Sequence, residues 1–144
     1  MTSKDEARRA DQLGRALVAA VEAQMYQEPR LAVAREPAVG AYVFDLLVLY
    51  GPHEALVLEV KHRSAVQDAA ELERVRFQCD GYRKATGFPV LLVTGDAAAG
   101  EIRTMLFTDT SQDAELSEAI AVRDLPRRVI EVLESKNAVL AAAG

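Results

Sequence analysis

Residues 44–61 read Phe44-Asp-Leu-Leu-Val-Leu-Tyr-Gly-Pro-His-Glu-Ala-Leu-Val-Leu-Glu-Val-Lys61. Two apolar runs flank a Gly51-Pro52-His53 turn, and Asp45, Glu59 and Lys61 interrupt them. A buried strand carries charge only where the charge has a partner or a task, because an unpaired buried charge is costly. The runs predict an antiparallel hairpin, Tyr42 to Tyr50 against Ala55 to Lys61. A turn centred near Pro52 sets Asp45 almost opposite Glu59. Side chains alternate along a strand, so Glu59 and Lys61 share one face. The sequence therefore permits one cluster of two carboxylates and an ammonium, built into a sheet.

Outward from the hairpin, Leu13, Leu17, Ala20, Val21 and Met25 recur at helical spacing and predict a helix over 3–27, ended by Pro29. Leu31 to Arg35 reads as a short strand, stopped by Glu36-Pro37 and a turn at Gly40. Asp68 to Thr86 reads as a second helix with Asp68 as N-cap, Gly87 as stop, and Leu72, Val75, Cys79 and Tyr82 as its inner stripe. Pro89 to Thr94 is continuously apolar and predicts a central strand covered on both faces. Glu101 to Thr108 predicts a further strand, Ser111 to Ile120 a short helix, and Leu125 to Lys136 a closing helix with Pro126 in its first turn and a fraying Ala-rich end. The expected order is α-β-β-β-α-β-β-α, an α/β layer structure with a mixed central sheet flanked by helices.

Length and composition narrow the function classes. A chain of 144 residues with 50% hydrophobic residues predicts one domain with a real core. No apolar run is long enough to cross a bilayer, and the charged N-terminal residues lack the apolar segment of a secretory signal, so the expectation is a cytoplasmic protein. The single cysteine, Cys79, excludes an internal disulfide and a cysteine-based zinc site. Two histidines, His53 and His62, without helical spacing offer no zinc motif. The net charge of −5 speaks against tight autonomous DNA binding, although local patches matter more than the sum. A phosphate-binding loop and a serine nucleophile elbow are both absent.

The charged cluster has the parts for metal-assisted phosphodiester hydrolysis. Asp45 and Glu59 supply hard oxygen ligands suited to Mg2+ or Mn2+, and the Val60 carbonyl is a further candidate ligand. Lys61 would orient the attacking water and offset charge in the transition state. A Glu-x-Lys tripeptide by itself is common on solvent-facing strands; the aspartate on the partner strand, amid apolar neighbours, is what favours the metal reading.

Asp45, Glu59 and Lys61 in this order resemble the PD-(D/E)xK nuclease superfamily, whose fold is the restriction-endonuclease-like one. The resemblance covers roughly Val21 to Thr94, and Phe44 stands where that family has proline. A second match is Gln78-Cys-Asp-Gly-Tyr82, similar to the Gln-x-x-x-Tyr motif that succeeds the Glu-x-Lys strand in RecB-like nucleases and, more loosely, in the N-terminal nuclease domains of type I restriction R subunits. Gly40 matches that family's glycine before the aspartate one position too far upstream. The resemblance implies a Mg2+- or Mn2+-dependent deoxyribonuclease acting in DNA repair or defence, with Gln78 at the catalytic site and Tyr82 stacking or packing. It also implies an acid from the first helix at the metal, for which Glu22 is the first candidate and Glu28 the second.

Basic residues cluster downstream of the motif. His62, Arg63, Arg76, Arg83 and Lys84, with Arg74, are candidates for phosphate contacts; the bland alternative is a solvated helix face paired with Glu71 and Glu73. The competing function is a non-catalytic module of the same fold, a homodimer or a subunit of a larger defence or repair complex. A substrate of RNA or branched DNA stays open.

Overall fold

The structure, a computed structural model, describes residues 3–36, 38–39, 42–52 and 54–143. In chain order the elements are α1 (Ser3–Tyr26), β1 (Leu31–Arg35), β2 (Ala38–Val39), β3 (Tyr42–Val43), β4 (Leu46–Tyr50) and β5 (Glu54–His62). They continue with α2 (Ala69–Thr86), β6 (Val90–Asp96), β7 (Glu101–Phe107), β8 (Ile120–Ala121) and α3 (Leu125–Ala143), with short 3-10 turns at Arg63–Val66 and Val122–Asp124. The main sheet has six strands in the order β1-β4-β5-β6-β7-β8, and β2 and β3 form a separate ribbon. Only β5 and β6 run parallel; the other pairs are antiparallel. Parallel neighbours need a crossover, and α2 supplies it. The chain is thus α/β, with a mixed sheet flanked by three helices.

Each face of the sheet has its own apolar layer. Leu17, Val21 and Met25, four residues apart on α1, are fully buried with Leu56, Leu58, Leu91 and Val93 and with Val129 and Leu133 of α3. On the other face Val75, Cys79 and Tyr82 of α2 cover Phe44, Val57, Leu92 and Met105. β6 feeds both layers from alternate residues, as its unbroken apolar character predicted. The ends of α2 match their sequence signals. Asp68 Oδ1 accepts the Glu71 N–H at 2.8 Å, and Gly87 closes the helix in the left-handed conformation at φ 75°.

The hairpin has the anticipated register, with Leu46 opposite Leu58 and Tyr50 opposite Glu54. The expected continuous strand from Tyr42 to Tyr50 is broken, however, at Phe44 and Asp45. Phe44 and Leu47 both pack on the α2 side. A spacing of three on one face is incompatible with regular alternation, so the chain must kink between them. Upstream of the kink it turns off the sheet into the β2–β3 ribbon. Pro37, Gly40 and His53 lie outside the described residues.

Two other expectations change. Ser111 to Ile120 forms no helix. The Asp113 carboxylate accepts the Leu106 N–H and Ser117 Oγ accepts the Thr104 N–H, each at 2.9 Å. The Asp113 and Ser117 N–H groups donate in return to the Leu106 and Thr104 carbonyls, so side chain and backbone together occupy the β7 edge until Ile120 and Ala121 pair as β8. The closing helix continues beyond Lys136 to Ala143. Among the described residues no helix is long and apolar enough to cross a membrane.

Candidate functional site

β4 ends at Leu46, whereas its partner β5 runs on past Leu58 to His62. Among the described residues the β4-facing edge of β5 beyond Leu58 therefore has no paired strand, and the Asp45 side chain takes that place: the Val60 N–H donates to Asp45 Oδ2 at 2.7 Å. A strand residue's N–H and C=O leave toward the same edge, so the Val60 carbonyl opens on the gap beside Asp45. Asp45 thereby stands next to Glu59, as extrapolating the hairpin register requires.

Glu59 and Lys61 come after Val57 on the α2 face. Glu59 is 4% exposed, and its Oε2 is buried without a hydrogen-bond partner. Lys61 Nζ stands 3.8 Å from Glu59 Oε1, at the longer limit of an ion pair. Burial, then hydrogen bonding to Asp45 and the Asp45 charge, push the Glu59 carboxyl up to about 9, while Lys61 pulls weakly the other way. With no cation bound, Glu59 keeps its proton at neutral pH. Cys79 lies under the same site; burial and then the charge of Glu59 push its thiol up to about 12, which leaves it unreactive.

An orphaned, buried carboxylate oxygen beside a second carboxylate and an open main-chain carbonyl suits a small hard cation. Asp45, Glu59 and Val60 therefore fit a Mg2+ or Mn2+ ion. No third acid completes the set: among the described residues no three His, Cys, Asp or Glu side chains gather closely enough to hold a metal. Glu22 Oε2, buried without a hydrogen-bond partner, stands 3.6 Å from Arg35 Nε, and Glu28 is taken up by Arg30 at 2.9 Å. In this arrangement neither joins Asp45 and Glu59 in a group able to hold a metal. α1 lies over the opposite face of the sheet, with Val21 and Met25 turned into its core.

Two clefts meet at Lys61. The larger, about 840 Å3, lies between α1 and the end of β5, with Asp11 and Arg15 on one wall and Asp45, Val60 and Lys61 on the other. The smaller, about 630 Å3, runs from Lys61 along α2 past Gln78 and Tyr82. Gln78 does not reach for Lys61: its Nε2 donates to the Tyr82 hydroxyl at 2.7 Å. Tyr82 in turn packs edge-on against Phe44, with ring centroids 4.9 Å apart. The residue in the proline position of the resembled motif thereby anchors the kink that aims Asp45.

The other candidates are mostly engaged. His62 is buried, with Nδ1 2.8 Å from Ser64 Oγ and Nε2 3.8 Å from Asp96. Arg63 stands 3.4 Å from Asp96. Arg76 lies 3.8 Å from Glu73, and Arg83 and Lys84 both hold Asp80 at 3.0 Å. Those two cations, Lys84 first, hold the Asp80 carboxyl below the usual range. The bland alternative, a self-neutralised helix face, describes Arg76, Arg83 and Lys84. Sequence reasoning missed Phe77, an exposed aromatic on the wall of the smaller cleft. Its signal was present: Phe77 falls off the Val75–Cys79–Tyr82 stripe and so has to face outward.

No protein-family model matches the chain, and no curated protein matches it. It is similar to a solved structure of a protein of unknown function from Silicibacter pomeroyi, at 15% identity over 90% of this chain and 88% of that one, with a TM-score of 0.38. A likeness at that score carries no argument about fold or activity.

Proposed function

We propose that the chain is a divalent-metal-dependent nuclease of the restriction-endonuclease-like fold, hydrolysing DNA phosphodiester bonds with Asp45, Glu59 and Lys61. The observation that carries this reading is the buried Glu59 carboxyl, with one oxygen unpartnered, held between Asp45 and Lys61 where β4 stops. A sheet interior keeps such a group only when something offsets its desolvation.

Asp45, Glu59 and the Val60 carbonyl would hold Mg2+ or Mn2+, which when bound polarises the scissile phosphate and acidifies a water. Glu59 must give up its proton for the cation to bind, so uptake is coupled to proton release. The Val60 N–H fixes the Asp45 rotamer, leaving Oδ1 for the cation. Lys61, partly exposed where the two clefts meet, donates to a phosphate oxygen or to the attacking water and offsets the developing charge. Gln78, through Tyr82 and Phe44, positions the kink rather than touching the phosphate.

The test is cleavage of single-stranded, duplex and branched DNA with Mg2+ or Mn2+, beside Lys61→Ala. The variant should lose about 100- to 1,000-fold in rate with an unchanged melting temperature. Equal rates for variant and parent overturn the mechanism.

One observation favours the non-catalytic binding or assembly module: Arg76, Arg83 and Lys84 are already paired with acids of their own helix. Calorimetric titration with Mn2+ separates the two readings, since the module binds no ion at millimolar metal.

A further inference from the structure

We propose that the smaller cleft binds a strand of unpaired nucleotides, one base stacked on Phe77 and the backbone drawn toward Arg74 and Lys61. This deepens the nuclease reading, and rests on it for what happens at Lys61, by giving the site a substrate class: single-stranded nucleic acid.

Arg74, Phe77, Gln78 and Gly81 fall at i, i+3, i+4 and i+7 of α2 and so share one face of the helix. Phe77 is 82% exposed, more than any other exposed large apolar residue described, with Tyr26 next at 62%. One turn further on, a Cβ built on Gly81 would meet nothing within 4 Å, so the space beside the ring is open. The cleft under this face holds about 630 Å3 and ends at Lys61.

Its charge sets it apart from the rest of the molecule. The chain carries −5 overall, yet among the described residues the cleft is lined by Lys61 and Arg74 and by no Asp or Glu. Arg76, Arg83 and Lys84 on the same helix are bound to acids; Arg74 pairs with no described carboxylate. The larger cleft, by contrast, mixes Asp11, Glu36 and Asp45 with its cations.

An exposed ring sharing a cleft with two cations is the chemistry that receives unpaired nucleotides: the base offers its flat face to the ring and the phosphates meet the charges. A duplex keeps its bases stacked on one another and offers Phe77 no face. An exposed phenylalanine also suits a protein partner, but a cleft holding only positive charge and running to Lys61 is complementary to a polyanion.

The test is fluorescence anisotropy of the full chain in EDTA, with labelled oligothymidylate, oligouridylate and a duplex of the same length. EDTA keeps cleavage out of the reading. A single strand should bind at least about ten-fold tighter than the duplex. Phe77→Ala should cost about ten-fold on the single strand and nothing on the duplex, whereas Phe77→Tyr, which keeps the ring, should bind as the parent does. Because Phe77 is exposed, Phe77→Ala should melt with the parent, and a matched melt shows that lost binding is not lost folding.

Equal affinity for single strand and duplex, or single-strand binding untouched by Phe77→Ala, overturns the proposal. Failure of the nuclease reading looks different. Phe77-dependent binding without cleavage of any substrate in Mg2+ sustains the cleft and sinks the nuclease. Single-strand cleavage at a rate indifferent to Phe77→Ala sustains the nuclease and sinks the cleft.

Discussion

On the α1/α3 face of the sheet, β5 contributes Leu56, Leu58 and Val60 to a closed apolar layer; on the α2 face the same strand contributes Val57, then Glu59 and Lys61. The two faces share a backbone and differ in how far the core extends along it. Beneath α1 and α3 the apolar layer continues through Val60. Beneath α2 it stops after Val57, at the level where β4 ends and Asp45 replaces a strand neighbour. One face holds the fold, and its stability lets the other carry a buried carboxyl. The division is testable by weakening each face in turn.

The largest effect on stability belongs to the α1/α3 face. Leu58 is fully buried between the strands and the helices of that layer. Leu58→Ala should cost about 3 kcal/mol of unfolding free energy, through lost transfer energy and an unfilled cavity, read from urea denaturation. A loss below about 1 kcal/mol would mean that this layer is not what holds the sheet.

The opposite sign is expected across the sheet. Glu59 keeps its proton in the folded chain up to about 9, against an ordinary value of 4.5. The unfolded chain releases that proton near 4.5, so between these values the folded state binds more protons than the unfolded one. The stability contribution is whole below about pH 4.5 and drains away as pH rises toward 9, by at most about 1.4 kcal/mol per pH unit. Glu59→Gln cannot ionise and removes this slope. In EDTA the variant should exceed the parent at about pH 8 by about 2 kcal/mol, with the gap closing toward about pH 5. Urea unfolding at several pH values checks it, and a variant no more stable than the parent at the alkaline end shows Glu59 ionised without metal. Mn2+ should stabilise the parent and leave the variant unmoved, because only the parent has a second carboxylate to offer.

Much of this contrast was legible in the sequence. Alternation along Ala55 to Lys61 put Glu59 and Lys61 on one face, and a turn centred near Pro52 gave the register that sets Asp45 beside Glu59. The α2 caps and the doubly covered β6 came from local rules. The kink at Phe44–Asp45 did not, because a run of β-branched and aromatic residues reads as continuous strand, whereas the contacts at the break, Phe44 on Tyr82 and Asp45 on the Val60 N–H, come from partners distant in sequence. The Ser111 to Ile120 segment reads as helix because Asp113 and Ser117 are good helix-start residues; in the fold they bond the edge of β7 instead, a partner distant in sequence. Glu22 sits on the α1 face that points toward the sheet, but sequence periodicity cannot tell which side of the sheet a helix covers. The basic cluster was legible as a cluster, and its pairing with Asp80 and Glu73 was within reach of helical spacing alone.

The smallest effect tests whether the α2 face is held by packing or by its polar contacts. Tyr82 stacks its ring edge against Phe44 and accepts a hydrogen bond from Gln78 at 2.7 Å. Tyr82→Phe keeps the ring and removes the acceptor. Gln78 is exposed, so its amide returns to water. The cost should be about 1 kcal/mol or less, roughly a third of the Leu58→Ala loss, with the cleavage rate in Mg2+ little changed, because the Phe44 contact still aims Asp45. A urea midpoint close to that of the parent, together with a sharp fall in cleavage, would break this account. It would place the Gln78–Tyr82 pair at the phosphate rather than behind the kink, and the α2 face would then owe its shape to chemistry as well as to packing.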